Sequence, residues 1–191
     1  EHFKKAIAPK NEKILIHTSN FRKVKRVEDT VKIFEKVRKK VSSKLLLVGD
    51  GPERACVEEL SRMLKVEKDV IFLGKQDAVE ELLAIADLYL MPSESESFGL
   101  AALEAMACEV PVISSNTGGI PEINIQGVTG FLSDVGDINE MAKNAINILG
   151  DEMVLKAFKA NALMQAKKFD IANVLPHYEK YYQKIMSEFK N

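Results

Sequence analysis

The chain has 191 residues, 46% of them hydrophobic, enough for one domain with a sizeable core. Its charged residues, 29% of the total, nearly cancel to a formal net charge of −1, which excludes a dedicated reader of the nucleic-acid backbone, since that work needs a basic excess. Cys56 and Cys108 lie far apart, match no metal-ligand spacing and read as small buried hydrophobes. No apolar run approaches the roughly 18 residues of a membrane span and no signal-peptide pattern is visible, so a reducing, cytoplasmic setting is expected. Residues 1–12, which open on Glu1 and include Pro9-Lys10, read as a linker, with the chain an excised piece of a longer protein.

In chain order, Lys13–Thr18 (KILIHT) predicts a buried strand. Val27, Val31, Phe34, Val37 and Val41 then recur at helical spacing. Lys44–Val48 predicts a second strand, closed by Gly49-Asp50-Gly51-Pro52, and a helix is expected over 53–64. Val70–Leu73 is a third strand, 79–86 a short helix and Leu88–Met91 a fourth strand. A helix rich in small residues follows over Gly99–Ala107, then a fifth strand over Val110–Ser114. Gly118–Glu122 opens a helical turn and Gly130–Leu132 a short sixth strand. From Ile138 the pattern is helical, with breaks near Gly150-Asp151 and Asp170. Strands apolar on both faces, separated by helices, predict an α/β, doubly wound (Rossmann-like) parallel sheet. The glycines and polar residues concentrate just after the strands, at the edge where such sheets bind ligands.

The densest chemical signal runs from Ser93-Glu94-Ser95-Glu96-Ser97-Phe98-Gly99-Leu100 into Ala101–Ala107. A polar loop there enters a helix whose first turn offers unpaired amides and a partial positive charge, a ready phosphate site. Gly99 lets a ligand approach that backbone. Glu104, one and a half turns on, can accept hydrogen bonds from hydroxyls, and Glu96 stands in the loop before the helix. Helix capping alone accounts for the serines.

The pair Glu96 and Glu104, with Ser97-Phe98-Gly99-Leu100 between them, resembles the signature of retaining glycosyltransferase family four. Four more segments agree in order: Gly49-Asp50-Gly51-Pro52; Phe72-Leu73-Gly74; Glu104–Cys108 with Val110-Pro111-Val112; and Gly118–Glu122 with Gly127 to Leu132. The resemblance covers about residues 14–135. It implies the C-terminal, donor-binding half of a two-domain GT-B enzyme: residues 13–170 as the nucleotide-sugar domain, and 171–191 as a helix that packs toward a missing N-terminal acceptor domain. Ser19–Arg26 with Phe72–Asp77 is similar, within the family, to members that transfer N-acetylglucosamine to L-malate.

That resemblance implies a UDP-sugar donor, no metal and no other cofactor. Lys25 and Arg22 would meet the diphosphate with the amides of Phe98, Gly99 and Leu100, and Ser97 would join the substrate-binding loop. Glu96 would orient the sugar, Glu104 would hold the ribose, Gly74 and Lys75 the uracil, and Gly51 would pass near the nucleotide. Gly118 and Gly119 are equally compatible with plain turn roles. Two departures stand out: Asn20 occupies the usual position of an Arg, and Glu109 that of a helix-ending Gly. His17 reads as a satisfied core histidine, and Asp50 carries no catalytic role. Tyr178, Tyr181, Tyr182, Ile185 and Phe189 form a helical face that would be exposed without the first domain and would favour a homo-oligomer. Other sugars and acceptors of cell-wall or exopolysaccharide synthesis, and a non-catalytic nucleotide-binding module, stay open. A dinucleotide dehydrogenase is disfavoured, because no Gly-x-Gly-x-x-Gly follows the first strand.

Overall fold

The computed structural model describes residues 2–188; the expectation on Phe189 lies outside them. Six parallel strands form one sheet: β1 (Lys13–Ser19), β2 (Ser43–Gly49), β3 (Val70–Gly74), β4 (Leu88–Met91), β5 (Val112–Ser115) and β6 (Gly130–Ser133). Their order is β3-β2-β1-β4-β5-β6, every pairing parallel. The winding reverses between β1 and β4, and that reversal opens a crevice at the carboxyl ends of the two strands. The helices are α1 (His2–Ile7), α2 (Val27–Arg38), α3 (Arg54–Met63), α4 (Val79–Leu83), α5 (Leu100–Ala107), α6 (Ile120–Ile123), α7 (Ile138–Leu149), α8 (Glu152–Ala166) and α9 (Ile171–Glu188).

The strands alternate sides as a pleat requires. Leu15, Leu45, Leu47, Leu88 and Leu90 face one core, closed by Val31, Phe34, Val57, Met141 and Ile148 from α2, α3 and α7. Ile14, Ile16, Leu46, Tyr89 and Val112 face the other, closed by α4, α5, α6 and α8. Phe34 is fully buried, and its removal would cost about 3–5 kcal/mol. The alanines of α5 let that helix lie close to the sheet and to α8.

Local chemistry sets the boundaries. Asp137 caps α7 by accepting the Glu140 amide, and Asp151 caps α8 by accepting those of Met153 and Val154. After α5, Glu109 takes a left-handed conformation at φ 62°. The Glu109 amide donates to Met106 and the Val110 amide to Ala105, the paired bonds of a Schellman ending. The fifth strand therefore begins at Val112 rather than Val110, whose amide is committed to the helix. Val66 and Lys65 close α3 in the same way, Lys65 at φ 57°.

Two expectations change. The stretch read as linker folds into α1 and docks: Ala8 is buried and Lys4 reaches Asp87. Cys56 is exposed rather than buried, because α3 turns Val57 and Ser61 inward and leaves Cys56 on the opposite side.

Candidate functional site

A cavity of about 460 Å³ opens where the winding reverses. Its walls come from the end of β1 and the turn after it (His17, Ser19, Asn20, Lys25), the end of β4 (Met91, Ser93), and the loop and first residues of α5 (Glu96 to Ala101).

Two loops meet across it. The turn after β1 runs through a 3-10 helix, Lys23–Lys25, to a left-handed Arg26 (φ 50°) that starts α2. The Glu94 amide donates to the Val24 carbonyl at 2.8 Å and ties this turn to the loop after β4. Lys25 Nζ then lies 2.5 Å from Glu96 Oε1, with both side chains mostly buried. Ser93 Oγ donates to the same oxygen at 2.9 Å. Among the described residues Glu96 Oε2 has no partner.

Glycines permit the tight fit. A Cβ on Gly118 would stand 1.7 Å from the Glu96 carbonyl oxygen, and one on Gly119 2.6 Å from that of Ser97. These two glycines are required by close approach to the Glu96 loop and not merely by a turn. Gly99, at φ 89°, forms the N-cap of α5. None of the hydrogen bonds among the described residues uses the amides of Phe98, Gly99 or Leu100, so these donors are available to a ligand. The Phe98 ring packs edge-on against Phe169, centroids 5.7 Å apart, which anchors the loop.

His17 is 1% exposed. Its Nδ1 lies 2.8 Å from the Leu90 carbonyl and its Nε2 2.8 Å from Ser19 Oγ. Burial, and then the Lys25 charge, lower its pKa to about 4 against the pull of the Leu90 bond and Glu96, so the ring is neutral. Tyr89 bonds Thr18 through its hydroxyl at 2.8 Å, and burial, with Glu96 and Glu104 nearby, raises its pKa to about 12.

Of the residues expected from sequence, Lys25, Glu96, Ser97, Phe98, Gly99 and Leu100 share this cavity. Arg22 is exposed on the same turn and Glu104 is exposed on α5, both outside the cavity lining. Gly51 supports the turn after β1: a Cβ there would stand 2.4 Å from the Asn20 carbonyl oxygen. Gly74 ends β3 at φ 67° beside exposed Lys75, and Arg54 lies over the neighbouring Phe72 ring at 5.7 Å. His17, Asn20 and Ser93 join the cavity wall without having been singled out as site residues; their position at the ends of β1 and β4 was the available signal. No cluster of three His, Cys, Asp or Glu side chains able to hold a metal occurs among the described residues, nor does a helix long and apolar enough to cross a membrane.

Comparison with known proteins identifies the family of the chain. The family of glycosyl transferases group 1 matches residues 1–165. The chain is 49% identical over 182 residues to N-acetyl-alpha-D-glucosaminyl L-malate synthase of Bacillus anthracis, covering 95% of this chain and 48% of that protein. It is 31% identical over 151 residues to 2-deoxystreptamine N-acetyl-D-glucosaminyltransferase of Niallia circulans, covering 75% of this chain and 38% of that one. The chain thus spans about half or less of the length of these relatives. Sucrose-phosphate synthase from Thermosynechococcus elongatus superposes with a TM-score of 0.86 at 27% identity, over 98% of this chain and 49% of that one. Anabaena HepE, solved in complex with UDP and glucose, superposes at 0.84 and 26% identity, over 96% and 51%. With a GT-B-type Rossmann-like sheet and a family match over most of its length, the chain belongs to the group 1 glycosyl transferases.

Proposed function

We propose that this chain is the C-terminal, donor-binding half of a retaining, metal-independent glycosyltransferase that takes N-acetylglucosamine from UDP-N-acetylglucosamine. The acceptor, L-malate on its likeness to the Bacillus anthracis synthase, would sit on a separate N-terminal domain. The observation that carries the donor site is the convergence of Lys25, Glu96 and the free amides of Phe98, Gly99 and Leu100 on one cavity. A diphosphate leaving group develops negative charge as the glycosidic bond breaks. Fixed N–H donors and an ammonium aimed at it stabilise that charge without reorganisation. Lys25 would turn its ammonium onto the phosphate oxygens, with Arg22 beside it, while Glu96 Oε2 accepts a sugar hydroxyl. Glu104 would take the ribose hydroxyls, and Gly74 with Lys75 the uracil. These assignments supply the charge that a divalent ion would otherwise supply, and no cofactor is invoked. The free thiols Cys56 and Cys108 support a cytoplasmic setting.

Calorimetric titration with UDP and UDP-N-acetylglucosamine in the presence of a chelator tests this reading. The wild-type chain is expected to bind both, and Lys25→Ala to weaken binding by about ten- to a hundredfold, the worth of a charge-assisted hydrogen bond. Glu104→Ala should weaken it in the same direction. Binding that appears only with added divalent metal would remove metal independence, and binding of NAD alone would remove the donor assignment. Without an acceptor domain the chain is expected to transfer no sugar; product formation by it would refute the division of labour.

A further inference from the structure

His17 has no part in the charge stabilisation described above, yet it lines the same cavity and is buried. The Leu90 carbonyl can only accept, so His17 Nδ1 carries the proton and Nε2 of the neutral ring is an acceptor. Ser19 Oγ at 2.8 Å must then donate to Nε2. Its lone pairs face the Phe21 amide, which donates to Ser19 Oγ at 3.3 Å. The hydrogen bonds form one directed series, from the Phe21 amide through Ser19 and His17 to the carbonyl of Leu90.

This series holds a turn that the backbone does not favour. Phe21 has φ 25° and is fully buried, and Arg26 is left-handed. The turn is pressed from below, because a Cβ on Gly49 would stand 1.8 Å from the Ser19 carbonyl oxygen. What the turn presents is Asn20, whose carboxamide has no partner among the described residues and which lines the cavity, and then Lys25. A leucine at position 17 would fill the core equally well; only an acceptor at Nε2 orients the serine.

We propose that His17 is a positioning residue of the donor site: through the Ser19 hydroxyl it fixes the Ser19–Arg22 turn and so presents the Asn20 carboxamide to the diphosphate-sugar. This assignment rests on the donor-site reading. It requires that Ser19 and His17 act as one unit, so their substitutions should not add.

The test is a double-mutant cycle read by calorimetric binding of UDP to the 191-residue chain. His17→Asn keeps a donor for the Leu90 carbonyl but is too short to reach Ser19. Both Ser19→Ala and His17→Asn are expected to weaken UDP binding by about three- to tenfold, the worth of one hydrogen bond. The double variant should be no weaker than either alone, and Ser19→Thr, which keeps the hydroxyl, should restore affinity. Nitrogen-15 spectra of the His17 ring should show the Nδ1–H tautomer in the wild type and a shifted Nε2 in Ser19→Ala. If His17→Asn does not fold, the Ser19 variants and these spectra decide alone. Wild-type affinity in Ser19→Ala, additive losses, or no rescue by threonine would each overturn the assignment while leaving the donor site intact. Failure of the wild-type chain to bind any uridine nucleotide would overturn both.

Discussion

Glu109 sits where the end of α5 demands a left-handed residue, and a glycine would meet that demand without Cβ strain. Glu109→Gly is expected to stabilise the chain by about 1 kcal/mol, raising Tm by roughly 2–4 °C for a domain of this size; calorimetric melting checks it, and a lower Tm would show that the glutamate makes a compensating contact. His17 gives a second prediction, on pH. The unfolded ring titrates near 6.5 and the folded ring near 4. Between those values the unfolded state binds more protons, so stability falls as pH drops from about 6.5 to about 4 and then levels. The full effect amounts to about 3 kcal/mol, and His17→Asn should flatten that part of a urea-denaturation profile taken against pH. At this scale the sequence showed the residue types but not their partners. The departure at Glu109 was legible because a helix ending was. The Lys25–Glu96 pair was not, because 71 residues separate them and only the crossing from β1 to β4 makes them neighbours.

Among the elements, strands and helices were legible almost throughout, because buried parallel strands read as short apolar runs and the helices between them keep a 3.6-residue period. Where boundaries moved, a cap moved them, as Val110 shows. The first helix was hidden because residues 1–12 are short, with Pro9 and three lysines among them, and its docking brings Lys4 to Asp87, far off in sequence. Loop against loop is the least legible level. Gly118 and Gly119 were equally compatible with turn roles and with a place in the site, and they are the contact that seats the Glu96 loop. Gly118→Ala, with φ 54° and no room for a Cβ, should therefore shift the Glu96 backbone and weaken UDP binding by about tenfold or more as well as lower Tm. Gly127→Ala is the control: it shares a positive φ of 71° but meets nothing within 4 Å. It should lower Tm by strain alone and leave binding unchanged. Equal losses of binding in the two variants would mean that the loop contact does not position Glu96.

For the molecule as a whole, Asp87 is a junction: its carboxylate accepts the Ile14 amide and pairs with Lys4 of α1 and Lys159 of α8. Burial alone would raise its pKa, but Lys159, the Ile14 amide and Lys4 outweigh it and hold the carboxyl below its ordinary range. The stability this junction provides is thus complete above the unfolded pKa, near 4, and is lost as pH falls through the folded value; Asp87→Asn should cost about 2 kcal/mol at neutral pH. Beyond that junction the two cores close on themselves, and α9 is left with no buried residue. Tyr178, Tyr181 and Tyr182 are each about 60% exposed, with Met186 beside them. A helix that keeps three tyrosines and a methionine in water has an apolar face that a partner surface normally covers; on the proposed two-domain reading that surface would be the N-terminal domain. The expected consequence is concentration-dependent self-association of this chain, measured by sedimentation. Tyr181→Glu with Tyr182→Glu should abolish it without lowering Tm, since neither ring joins the core. If that reading holds, joining an N-terminal domain to this chain should slow the exchange of the α9 amides. A chain that stays monomeric at every concentration, with α9 exchange unchanged by an added N-terminal domain, would show that this face serves neither contact.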